Sequence, residues 1–288
     1  MGSPEGNEGI CQGTMENGWS VQEPPGVCDA FCPIVLCATP FGTLGQEKKG
    51  LRSAGRDVVY ALWEGLARVA QGKQNYFRID LHEYQPEVKA RVWDLLEPTQ
   101  TVLYYPGPPV WGARGSRFPG VWLVAQEDAP RGSVNHWIEV GSIPKGWMDF
   151  IEKEGNGRSE LPASKPNWIR GLLCVLAEGV KEALDKETGW QLDLSPWIVS
   201  EAELSVLMQI IGKGPLFAQS GAGWNRLSAF SSRWPRLWWV RKRGPEGRGE
   251  LSFEIGMAPR FLWVDRERLW KSAMSFEEVW KACQESLG

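Results

Sequence analysis

A few residues in this chain have types and spacings that could do chemistry. Cys28, Cys32 and Cys37, in CDAFCPIVLC, are clustered soft ligands, with Cys11 upstream. Their thiolates could hold an iron–sulfur cluster or zinc, although C-x3-C-x4-C is not the two-residue pairing that such sites usually show. The plain alternative is small apolar residues on an accessory segment. Only His82 and His136 supply imidazole, so a three-histidine zinc site is ruled out. His82 lies near Asp80, where it could serve acid/base work or simply end a strand. GAGWNR, residues 221–226, has the glycines of a phosphate cradle but lacks the Lys-Ser/Thr of a P-loop and precedes no helical pattern, so it reads as a turn between strands. Finally, Trp234, Trp238 and Trp239 are interleaved with Arg233, Arg236, Arg241, Lys242 and Arg243. That mixture suits a stacking groove for single-stranded nucleic acid or a protein-binding hot spot.

Composition narrows these readings. At 288 residues the chain is long enough to bury a core for one or two domains, and 42% hydrophobic with 23% charged residues is ordinary for a globular protein. A net charge of -3 argues against a dedicated nucleic-acid binder. The 17 tryptophans, against 5 tyrosines, imply either a well-filled core or adhesive surfaces. No apolar run is long enough to span a membrane, and MGSPEGNEG has neither a basic region nor an apolar core. The expected location is therefore the cytoplasm, where the six cysteines would be thiols or metal ligands.

The elements that must position these residues occur twice. FPGVWLV, starting at Phe118, is answered by WPRLWWV, starting at Trp234, and IEVGSIPK at Ile138 by FEIGMAPR at Phe253, offsets of 116 and 115 positions. Two motifs in the same order at nearly one offset indicate a tandem duplication. Residues 1–52 form an irregular Cys/Gly/Pro-containing arm in which only AFCPIVLCATPF is clearly apolar. In residues 53–150, Val58, Val59, Leu62, Leu66 and Val69 have helical spacing, YFRIDLHEY alternates as a strand, Pro86 opens a second helix, and four short strand-like runs follow. Residues 151–165 read as a linker. Residues 166–260 repeat the order, with Ser200 and Glu203 as a capping box and Gly212 closing that helix. Residues 261–288 read as two short helices, the second opened by Ser275 and Glu278.

The expected fold is thus α+β, with two tandem α-β-α-β-β-β-β units whose antiparallel sheets are covered by helices. Strand alternation places Trp238, the match of Trp122, in the core and Trp239, the match of Leu123, on the surface. The recurring Glu139/Glu254 and Asp80/Asp193 pairs could be catalytic, but position-for-position recurrence is also what a structural role produces, for instance a carboxylate accepting backbone or Arg hydrogen bonds.

In the second unit QLDLSPWIVSEAELSVLMQIIGKGPLFAQSGAGWNRL, then RLWWVRK and FEIGMAP, resembles the C-terminal repeat of HupH/HyaF/HoxQ-type hydrogenase expression/formation proteins. The two-copy organisation is similar as well, so the likeness covers about residues 53–262. Two positions depart from that pattern: Asp193 stands where the family has Asn, and Asn225 where its turn has Cys. The resemblance implies an accessory protein for maturation of an uptake [NiFe]-hydrogenase, handling the iron–sulfur small subunit before export, and no enzymatic reaction. The expected partners are the small-subunit precursor and other maturation proteins. Binding is expected at Trp234, Arg236, Trp239 and Arg241, with no resident cofactor unless Cys28, Cys32 and Cys37 carry a cluster or zinc. A thiol- or metal-dependent enzyme and a single-stranded nucleic-acid module remain the rival readings.

Overall fold

The computed structural model describes residues 48–128, 133–154, 167–186, 189–198, 200–234, 236–243 and 249–285. The chain divides into Met1–Cys37 and Ala38–Gly288, and the first unit lies outside the described residues.

The order within the second unit is α1 (Lys48–Ala70), β1 (Tyr76–Asp80), α2 (Pro86–Leu96), β2 (Val102–Tyr105), β3 (Trp111–Gly115), β4 (Val121–Asp128), β5 (Ser133–Gly141) and α3 (Lys145–Glu154). Then come α4 (Asn167–Lys186), β6 (Trp190–Asp193), α5 (Glu201–Ile211), β7 (Phe217–Ser220), β8 (Leu227–Ser231), β9 (Leu237–Arg243), β10 (Gly249–Ile255) and α6 (Arg266–Glu285). The fold is α+β, as expected. Two separate sheets were expected; instead all ten strands form one antiparallel sheet, ordered β1-β5-β4-β3-β2-β7-β8-β9-β10-β6. That order reads alike from both edges, and the halves meet where Val102, Leu103 and Tyr104 of β2 pair with Gln219, Ala218 and Phe217 of β7. The hydrogen-bonding edge that each β2-like strand would otherwise expose is thereby satisfied by its counterpart, which removes two vulnerable edges.

Each face of the sheet is covered differently. On one face, Phe77 of β1 lies under Gly65 of α1 and Trp190 of β6 lies under Gly179 of α4, where an added Cβ would fall within 2.2 Å and 2.5 Å of the rings. Glycine at these two places lets helix and aromatic strand residue approach closely. The opposite face carries Trp122, Trp111, Val240 and Trp238, and receives α3, whose Trp147 stacks on Trp238 with ring centroids 5.5 Å apart. Thus a helix that follows the first half packs on the second. The reverse also holds: α6, after the second half, lies beside α1, with Arg266 donating to the Ala70 carbonyl at 3.1 Å and Phe276 packed edge-on against Phe118. These two crossings bury apolar residues from both halves in one core cluster.

Several element boundaries differ from the sequence reading. The first helix starts at Lys48 rather than near Ser53. Residues 145–154 form α3, not strand end and linker, because Trp147 and Ile151, one turn apart, both find buried positions against the sheet. Arg266–Glu285 is one continuous helix where two were expected: Leu269, Ser272, Ala273, Phe276 and Trp280 make one buried stripe, so burial outweighs the capping signal at Ser275. The capping box at Ser200 is present, with the Glu203 amide donating to Ser200 Oγ at 3.3 Å and the Ser200 amide donating to the Glu203 carboxylate at 3.0 Å.

Candidate functional site

The residues singled out by sequence fall into framework and surface groups. Glu139 and Glu254 belong to the framework. Both are buried, and each accepts from the first amide of the helical turn that follows its strand, Lys145 at 2.8 Å and Arg260 at 2.7 Å. Glu139 also accepts from Trp137 Nε1 at 2.6 Å. Burial raises the pKa of both carboxyl groups, while these donors pull the other way. The Tyr76 hydroxyl beside Glu139 is pushed up as well, first by burial and then by that carboxylate. No described His, Cys, Asp or Glu group is arranged to hold a metal ion.

Asp80 and His82 do not form a catalytic pair: Asp80 binds Arg78, while His82 lies within 3.6 Å of Glu83, exposed. In the other half Asp193 accepts from the Ser195 amide at 2.9 Å and hydroxyl at 2.7 Å, which holds its carboxyl below the usual range. His136 is held below the ordinary imidazole range by burial and by Lys89, with Trp93 edge-on to its ring. In GAGWNR, Gly221 has a left-handed φ of +77°, and a Cβ there would lie 2.5 Å from the Asn225 carbonyl oxygen; a 3₁₀ turn, Gly223–Asn225, leads directly into β8. The segment is closed on itself as a turn.

Of the expected binding residues, Trp239 requires correction. Alternation sends Trp238 and Trp239 to opposite faces and predicts a surface position for Trp239, but both faces of β9 are covered. Trp239 is 4% exposed, tilted against Phe253, and its Nε1 donates to the Gly212 carbonyl at 2.8 Å, tying the strand to the end of α5. It is core, as is Trp238, whose Nε1 donates to the Gly256 carbonyl at 2.9 Å. Trp234 is half-buried in the β8–β9 turn, with its amide held by Ser232 Oγ at 2.9 Å and its own Nε1 buried without a partner. Arg236 is exposed in the same turn at a left-handed φ of +61°. Arg241, five residues further on, is some 17 Å away along the strand, so it does not share a site with Arg236. Cys28, Cys32 and Cys37 lie outside the described residues.

The register reveals a grouping that sequence did not. Ser228 pairs with Arg241, and the Arg243 amide donates to the Arg226 carbonyl at 2.9 Å, so Arg226 stands opposite Arg243. Alternation puts Arg226, Arg241 and Arg243 on the face that also carries α4 and α5. Arg241 and Arg243 are visible as an i,i+2 pair in RKR, but Arg226 joins them only once the strand pairing is known.

No family model matches the chain, and no curated protein matches it. Among solved structures, the hydrogenase expression protein HupH from Thiobacillus denitrificans is similar over 39% of this chain and 93% of that chain, at 20% identity and a TM-score of 0.34.

Proposed function

We propose that this protein is a cytoplasmic, non-enzymatic accessory protein of [NiFe]-hydrogenase maturation, a chaperone or scaffold that holds the immature iron–sulfur small subunit. What carries the reading is the run of motifs between Gln191 and Pro259 that resembles the hydrogenase expression/formation family. Those motif residues have physical roles in the framework. Gly212 is the left-handed end of α5, and Gly214 allows β8 to approach so closely that a Cβ would lie 2.4 Å from Ser231 Oγ. Trp238 and Glu254 anchor the turn after β10. The resemblance therefore concerns a whole folding pattern, more specific than a single loop signature. A scaffold role also fits a chain whose described carboxylates of perturbed pKa are engaged by neighbouring backbone donors rather than lining a cleft with a base.

The test is capture of the small-subunit precursor by wild type, by Trp234→Ala and by Arg241→Glu. Loss of capture in Arg241→Glu with an unchanged melting temperature is the expected result. Equal capture by all three, or none by wild type, overturns the reading.

A further inference from the structure

Exposed large apolar side chains are few among the described residues, and α6 carries two of them on one flank. Leu269, Ala273, Phe276 and Trp280 turn one face of this helix inward, whereas Trp270 and Met274, one turn apart, are 47% and 49% exposed. Their seam continues in both directions at alternating steps of three and four residues, through Glu267 on one side and Glu277 and Lys281 on the other. That is the period of a helix packed along another helix. The seam is not the one that α1 uses. α1 takes the neighbouring flank, through Arg266 donating to the Ala70 carbonyl and Trp280 against Tyr60, with ring centroids 5.4 Å apart.

We propose that the outer flank of α6 is a self-association surface, on which α6 of a second copy of this chain lies antiparallel across a two-fold axis at Met274. The charge pattern names the occupant. Such an axis sets a residue lying before it against one lying equally far after it on the same flank of the second copy, and makes every contact twice. Glu267 and Lys281 stand seven residues to either side of Met274, so each Glu267 meets the Lys281 of the other copy. Lys271, three before, and Glu278, four after, share the flank away from Trp270, so each Lys271 meets a Glu278. Opposite charges therefore face one another at both places, and Met274 meets itself. Trp270 closes over the axis from the side of α1, a large ring at the centre of the seam with a charged rim around it. The existing i,i+4 pairs, Lys271–Glu267 at 2.6 Å and Lys281–Glu277 at 2.7 Å, need not break. Each ammonium has three donors and can serve a second carboxylate. A strongly acidic or strongly basic partner is a poorer fit, because both signs alternate along the seam.

This inference concerns only copies of this chain and does not rest on the maturation reading. The experiment is sedimentation velocity of the full chain between about 1 and 200 μM, where a reversible monomer–dimer equilibrium is expected. Met274→Lys puts like charges on the axis and should weaken the dimer at least tenfold, with an unchanged melting temperature because the position is exposed. Lys271→Glu and Glu278→Lys should each weaken it several-fold, since the symmetry counts every change twice. The double variant Lys271→Glu/Glu278→Lys restores opposite charges and should recover most of that loss, which a merely structural role for either residue would not produce. A monomer at every concentration, a dimer indifferent to Met274→Lys, or a double variant no tighter than its singles overturns the proposal.

Discussion

The two halves of the sheet share their hydrogen bonds and differ in what they expose. Trp122 Nε1 donates to the Gly141 carbonyl at 3.2 Å, as Trp238 does to Gly256. Ser116 Oγ and Ser232 Oγ each donate to a carbonyl two residues on, Phe118 and Trp234, at 3.0 Å. The Gly141 and Gly256 amides donate to the carbonyls of Gly120 and Arg236, both at 2.9 Å. These last two residues share a left-handed backbone, φ +87° and +61°. Only the first must be glycine: a Cβ at Gly120 would lie 2.2 Å from Leu269 Cδ2 of α6, whereas Arg236 is exposed. One turn geometry thus tolerates opposite residue types according to whether a helix lies over it. Shared positions report the framework, and divergent ones report packing partners or recognition.

Removing a ring that one half lends to the other should have the largest effect on this comparison. Trp147→Ala empties a fully buried site against Trp238 and should cost about 3–5 kcal/mol, read by chemical denaturation. A loss below about 1 kcal/mol would mean that α3 does not join the halves. The paired turn substitutions come next. Gly120→Ala should destabilise by more than about 2 kcal/mol, from backbone strain plus the clash with Leu269, while Arg236→Gly should be neutral or stabilise by about 1 kcal/mol. Equal effects at the two turns would break the correspondence.

Smaller effects sharpen it. Ser200→Ala removes a side-chain cap and should cost about 1 kcal/mol. The buried carboxyls give a pH test. Because burial raises the folded pKa of Glu139, protonation favours the folded state: the cost of keeping the carboxylate charged is present at neutral pH and is relieved as pH falls through the folded pKa toward the ordinary value. Wild type should therefore gain stability relative to Glu139→Gln as pH is lowered from 7 to about 4.5. A loss of wild-type stability relative to Glu139→Gln over that range would mean that the amide donors, not burial, dominate.

Much of this framework was legible in the sequence. The i,i+3/i+4 spacing in α1, the Pro86 start of α2, the Ser200–Glu203 cap and the repeated strand runs are local signals, and they survive because tertiary packing agrees with them. What was not legible depends on long-range placement. The joining of both halves through β2 and β7 leaves no mark on either strand. Trp239 was misplaced because alternation tells which face a residue takes but not whether that face is covered. Residues 145–154 form a helix although the polar, Gly- and Pro-bearing stretch from 151 reads as a linker, because the packing of Trp147 and Ile151 on the sheet leaves no local mark; Pro144 precedes the first turn of α3, where its missing amide costs nothing. The clustering of Arg226 with Arg241 and Arg243 required the register, since 15 positions separate Arg226 from Arg241.

The central claim is that both halves keep one framework and are joined into a single sheet where β2 pairs with β7. Native-state hydrogen exchange resolved along β2 and β7 is the direct measurement. The account predicts that the inter-strand amides there exchange as slowly as those of β4 and β9, only through global unfolding. Rapid exchange at β2 and β7 while β4 and β9 stay protected would contradict it.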